Sequence, residues 1–106
     1  MSFVQQTPRP FTRQNVESLR AGQIGVYGLF RQNCWVYIGK GNIRERLLAH
    51  LNGDNPSIMQ QAPTHWVDEV TPGDPSVRER ELILNAAAEV QFATRVRCNI
   101  IYSYWR

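Results

Sequence analysis

GVYGLFRQNCWVYIGKG, residues 25–41, decides the fold. Two runs rich in β-branched and aromatic residues flank the polar segment RQNC, and each run sets a tyrosine beside a glycine. Apolar runs joined by a short polar connection predict an antiparallel hairpin. Gly25 and Gly28 weaken a plain strand, so they mark a bulge or a close approach to the backbone. Tyr27 and Tyr37 carry the functional question. A tyrosine in a sheet is more often packing than chemistry, so their meaning depends on partners elsewhere in the chain.

Upstream, residues 1–10 hold two prolines among polar residues and are expected to form a flexible tail. FTRQNVESL, from Phe11, predicts a short helix with Thr12 as N-cap. Downstream, KGN turns the chain into IRERLLAHLNG, a helix whose Ile43, Leu47 and Leu51 form one apolar stripe and whose end is Gly53. DNPSIMQQAPT reads as a loop, HWVDEV as a third strand and TPGDPS as a turn. VRERELILNAAAEVQFA predicts a longer helix with Ser76 as N-cap, and RCNIIYSYWR packs back as a strand or irregular segment. The expected architecture is α+β: one domain over residues 11–106, a small three-stranded antiparallel sheet flanked by helices.

A chain of 106 residues supports a single modest core, and 42% hydrophobic with 20% charged residues is a globular balance. No apolar run reaches the roughly 18 residues of a membrane span, and no apolar leader follows Met1, so the expected location is cytoplasmic with no membrane partner. Cys34 and Cys98 lie far apart with no histidine at metal-site spacing; neither a zinc site nor a structural disulfide is expected. The net charge is +3, and eleven of the twelve basic residues are arginines, Lys40 being the exception. Arginine forks suit phosphate, although a general bias toward arginine explains the usage equally well.

Arg46 and His50 stand four apart at the edge of the apolar stripe, where they either reach over the sheet or line a solvated helix flank. Glu79 has two readings. Ser76-x-x-Glu79 matches a capping box, yet Glu79 also aligns with Ile83, Ala86 and Val90 in an inward spine, where a carboxylate needs a cation or donors. Glu81 shares a second face with Leu84 and Ala88, so periodicity leaves the choice open. His65, Trp35 and Trp66 read as packing residues, and the aromatics Tyr102, Tyr104 and Trp105 as packing that could also stack on unpaired bases.

In order and spacing, GVY at 25–27, YIGKG at 37–41, IRERLLAH at 43–50, RERELI at 78–83 and RCN at 97–99 resemble the GIY-YIG nuclease superfamily, in its small standalone bacterial form. The resemblance runs from about Phe11 to Asn99. It implies a metal-dependent endonuclease acting on DNA, branched or damaged DNA included, with Mg²⁺ or Mn²⁺ as cofactor. A protein partner could supply specificity. An alternative within the same fold is a nucleic-acid-binding module without turnover. By this resemblance Tyr27, Tyr37, Arg46, His50 and Lys40 are catalytic, Glu79 binds the metal, and Gly39, Gly41, Arg44 and Asn99 contact the substrate. Arg46 follows Tyr37 by nine residues where ten is common, and the segment before Asn99 lacks the family's usual proline. In this reading a tyrosine hydroxyl, lowered toward phenolate by metal and arginine, takes the proton of the attacking water. Gly25 and Gly39 leave room for phosphate and metal.

Overall fold

The computed structural model of the protein describes residues 3–32, 34–92 and 101–102. The hairpin forms as expected, from β2 (Ile24–Arg31) and β3 (Cys34–Asn42). Its register sets Tyr27 opposite Gly39 and slips between Leu29 and Phe30, just past Gly28. The KGN segment does not turn: β3 continues through it to Asn42, whose side chain then caps α2 (Ile43–Leu51) by accepting from the Glu45 N–H.

The expected third strand, β4 (His65–Val70), pairs antiparallel with the other edge of β2. Two short strands extend the sheet beyond the three expected. β1 (Arg9–Pro10) pairs antiparallel with β4, and β5 (Ile101–Tyr102) lies parallel to β3, for an order β1-β4-β2-β3-β5. The α+β expectation holds, with four antiparallel strands and a parallel two-residue edge in place of three strands. Two-residue strands carry no periodicity to read, so only the partner strand reveals them.

Residues 3–10 are laid against the sheet instead of standing off as a tail. Gln6 exchanges two hydrogen bonds with the Asp68 backbone, at 2.8 and 3.1 Å, and Phe3 packs on Trp35 at 5.3 Å between ring centroids. Cys34 is disulfide-bonded, contrary to the sequence expectation. That expectation rested on the expected cytoplasmic location, where disulfides are rare.

The helices divide between two faces. On one, α1 (Arg13–Glu17), capped by Thr12, and α2 cover Tyr27, Leu29, Tyr37 and Trp66, with Val16 and Leu47 fully buried between. The segment read as a loop adds a third helix here, α3 (Pro56–Gln61). Asn55 caps it, Pro56 opens it, and Ile58 drops into the same core. Its single turn and a half is too short for an apolar period to stand out. On the other face, α4 (Ser76–Phe92) buries Leu82, Ile83 and Ala86 against Val26 and Ile38.

The start of α4 differs from the expected capping box. The Asp74 carboxylate accepts from both the Ser76 N–H, at 3.0 Å, and the Ser76 hydroxyl, at 2.7 Å. Ser76 is therefore the first helical residue, and the Glu79 N–H bonds to the Pro75 carbonyl. That shift resolves the open choice for Glu79: its side chain follows the inward spine and is 2% exposed, while Leu84 on the alternative face is 55% exposed.

No helix among the described residues is long and apolar enough to cross a membrane.

Candidate functional site

The register that puts Tyr27 across from Gly39 also builds the site. A Cβ at Gly39 would lie 2.6 Å from the Tyr27 hydroxyl and 2.6 Å from Tyr37 Cε2, so glycine lets both rings lie over β3. The space at Gly39 is thus filled by the two tyrosines themselves, which corrects the expectation of room for phosphate. Gly25 is a close approach of another kind: its Cβ would sit 1.9 Å from the Glu69 carbonyl oxygen of β4. Gly41, at φ +129°, leaves space that Arg46 occupies, its Cγ 3.3 Å from where a Cβ would stand.

His50 is 1% exposed, an inward residue and not a solvated flank. Its ring lies 5.6 Å from that of Tyr27 and 5.0 Å from that of Tyr37, and its Nε2 is 2.7 Å from the Tyr27 hydroxyl. The other ring nitrogen, Nδ1, meets Asp54 Oδ1 at 2.8 Å, and Arg46 Nη2 donates to Asp54 Oδ2 at 2.9 Å. Tyr27, His50, Asp54 and Arg46 therefore form one continuous chain of polar contacts on the α2 face. Arg46 and Asp54 form the accessible end of this chain, their side chains 41% and 33% exposed.

Asp54 was not foreseen. The signal was present in His50-Leu-Asn-Gly-Asp54, a four-residue spacing carried past the helix end by glycine. Gly53 adopts φ +83° and its N–H bonds to the His50 carbonyl, while the Asp54 N–H bonds to the Ala49 carbonyl. This pair of bonds is a Schellman motif, and it folds the residue after the glycine back onto the last turn of the helix.

Burial, reinforced by neighbouring Tyr37, holds the Tyr27 hydroxyl in its neutral form far above the usual tyrosine range, against the pull of Arg46. Arg46 alone therefore does not lower it toward phenolate; the sequence reading gives that task to metal and arginine together. Asp54 behaves oppositely. Partial burial works against its ionisation, yet the hydrogen bond from His50, the charge of His50 and then Arg46 outweigh it and hold the carboxyl below its ordinary range. A depressed folded-state value contributes stability that is present above about pH 3.8 and lost as pH falls through the folded value. Asp54→Asn should therefore melt with a shallower loss of Tm below pH 4 than the native protein, in scans stepped through that range.

The remaining candidates gather on the α4 face. Lys40, which alternates away from Gly39 and Gly41, donates to Ser76 Oγ at 2.6 Å and lies 4.0 Å from Glu79 Oε1. No group of three histidine, cysteine or acidic residues stands at metal-holding distance among the described residues. Glu79, 2% exposed and facing Lys40, is a single hard carboxylate of the donor type that Mg²⁺ takes. Arg44 is half-buried on α2 and is not part of the Tyr27–Arg46 chain of contacts. Asn99 lies outside the described residues. His65 packs on Phe30 in a stacked pair at 5.8 Å and Trp66 is fully buried, both as expected of packing residues.

No family model matches the chain, and neither the curated proteins nor the solved structures yield a match.

Proposed function

We propose that the protein is a divalent-metal-dependent endonuclease that hydrolyses phosphodiester bonds in DNA, working through a GIY-YIG-type residue set. The observation that carries this reading is the 2.7 Å hydrogen bond between Tyr27 and His50, which are 23 residues apart and were both singled out by motif. A chain that carried these motifs by coincidence has no reason to bring them into contact. Lys40 and Glu79 approach on the opposite face of β3, at the same Gly39–Gly41 segment that seats the tyrosines and Arg46.

Each residue has a chemical task in this reading. Arg46 presents a preorganised fork to the charge that develops on the scissile phosphate. Lys40, whose side chain is 43% exposed, adds a second cation for the phosphate or the leaving oxygen. Tyr27 accepts the proton of the attacking water once its own proton has passed to His50, and Tyr37 flanks both rings and positions them. Glu79 would hold the Mg²⁺ or Mn²⁺, which would supply Lewis-acid polarisation of the phosphate and of the attacking water. Gly39 and Gly41 keep β3 open enough for the tyrosines and Arg46 to stand at the strand surface. In this reading the cleavage is structure-selective or partner-directed, on branched or damaged DNA.

A second reading, a DNA-binding module without turnover, draws on the burial of Tyr27 and His50, which are 0% and 1% exposed. One panel separates the two: labelled duplex, branched, nicked and single-stranded DNA incubated with Mg²⁺ or Mn²⁺ and with EDTA. The nuclease reading expects cleavage of at least one form, lost with EDTA. Salt-sensitive binding to these DNAs with no cleavage of any of them would transfer the conclusion to the binding module.

A further inference from the structure

We propose that Asp54 is a positioning residue for the proposed nuclease, fixing His50 in the one tautomer that can take the Tyr27 proton while holding the Arg46 guanidinium beside it; this rests on the nuclease reading for its function but not for its geometry. The carboxylate uses its two oxygens separately, Oδ1 toward His50 Nδ1 and Oδ2 toward Arg46 Nη2, at 2.8 and 2.9 Å.

An ionised carboxylate only accepts hydrogen bonds. The short contact to His50 Nδ1 is therefore Nδ1–H donating to Asp54, and a neutral ring then carries a lone pair on Nε2. That lone pair faces the Tyr27 hydroxyl at 2.7 Å, so the phenol must be the donor in this bond. The direction matters because burial keeps Tyr27 protonated. A hydroxyl that accepted from an Nε2–H would have no outlet for its proton.

With Asp54 in place the step balances. The Tyr27 O–H bond breaks, its electron pair stays on the phenolate oxygen, and the proton forms a new N–H bond at His50 Nε2. The resulting imidazolium faces the Asp54 carboxylate, which offsets its charge. The phenolate then removes the proton from water. Among the groups facing His50 are Tyr27 from β2, Tyr37 from β3 and Asp54 beyond the end of α2, and Arg46 bonds to both Asp54 and the Tyr27 hydroxyl.

Gly53 is what delivers Asp54. Its left-handed φ of +83° permits the turn that returns the following residue to the helix end, and nothing within 4 Å would contact a side chain there. Its cost to any other residue is therefore conformational and not steric.

The test reads the ring nitrogens of His50 by ¹⁵N-detected NMR in the full-length protein without DNA, near neutral pH, in native, Asp54→Asn and Asp54→Ala forms. The expected native spectrum is a neutral His50 held predominantly as Nδ1–H, shifting toward Nε2–H in Asp54→Ala. A native ring that is predominantly Nε2–H overturns the proposal, and this measurement needs no variant to fold. A tautomer unchanged in folded Asp54→Ala overturns it too. In cleavage assays Asp54→Ala should lower kcat by about 100-fold with KM for DNA unchanged. A loss confined to KM would contradict the positioning role. Native protein inert on every DNA, with His50 still Nδ1–H, would refute the nuclease reading and leave the Asp54 geometry standing.

Discussion

Gly25→Ala should be among the most destabilising single substitutions in this domain, costing at least about 3 kcal/mol and lowering Tm by on the order of 15 °C. A Cβ at Gly25 would stand 1.9 Å from the Glu69 carbonyl oxygen and 2.9 Å from Val70 Cα. Both are backbone atoms of β4, so no side-chain rotation relieves the overlap. The β2–β4 pairing must open at its Gly25↔Val70 end instead. That end carries Glu69, which is paired with Arg78 of α4 at 2.8 Å, so the helix that bears Glu79 is disturbed as well. The control is Gly73→Ala. Nothing lies within 4 Å of its Cβ position, and its backbone is not left-handed. Restricting the unfolded chain there should raise stability by about 0.4–1 kcal/mol. Urea or thermal denaturation of the two variants side by side checks both values, and equal melts would contradict the register of β2 against β4.

Tyr27→Phe should leave the core intact and abolish most of the proposed activity, lowering the cleavage rate by about 10²- to 10⁴-fold. Phenylalanine keeps the ring that lies over Gly39 and against Tyr37 and His50. Only the hydroxyl is lost, and with it the donor to His50 Nε2 and the acceptor for Arg46. Removing the His50 hydrogen bond from a buried ring should cost about 1–3 kcal/mol. The variant should also differ in alkali. Native Tyr27 ionises above its ordinary value of 10.0, so its contribution to stability is fully present below about pH 10 and lost as pH rises beyond it. Without the phenol, that alkaline loss should be shallower. Single-turnover cleavage and melts at pH 9 to 11 read the two effects separately. A variant that cleaves at the native rate would remove Tyr27 from the chemistry.

The parts of this fold that were legible in sequence are those governed by local physics. The hairpin followed from two β-branched, aromatic runs around a polar connection, and α2 from an apolar stripe that ends at Gly53. Thr12 and Gly53 were read correctly because caps act within a turn of the residue that makes them. What escaped was whatever depended on a distant partner. β1 and β5 are strands only because β4 and β3 present free edges to them. The glycines were legible as close approaches but not as approaches of what: Gly25 meets a neighbouring strand and Gly39 meets the tyrosines. The shift at α4 came from Asp74, two residues before the serine that opens the capping-box pattern.

The site shows the same division. Tyr27, Tyr37, Arg46, His50, Lys40 and Glu79 could be picked out by motif, but their contacts could not. Nothing local predicts that His50 is buried, because its position at the stripe edge suits either outcome. The sheet decides it, by placing Tyr27 and Tyr37 where α2 crosses. Asp54 was overlooked because it lies in a segment read as loop, where an acidic residue after glycine ordinarily needs no explanation.

The most direct test of the central claim is nicking of supercoiled plasmid DNA in Mg²⁺ or Mn²⁺ by the native protein and by Glu79→Ala, with circular dichroism confirming that the variant is folded. Nicking by the native protein that falls by at least about 100-fold in the folded variant is the predicted result. Equal nicking by the two proteins would contradict the assignment of the metal to Glu79, and with it the account of this site as a GIY-YIG-type nuclease.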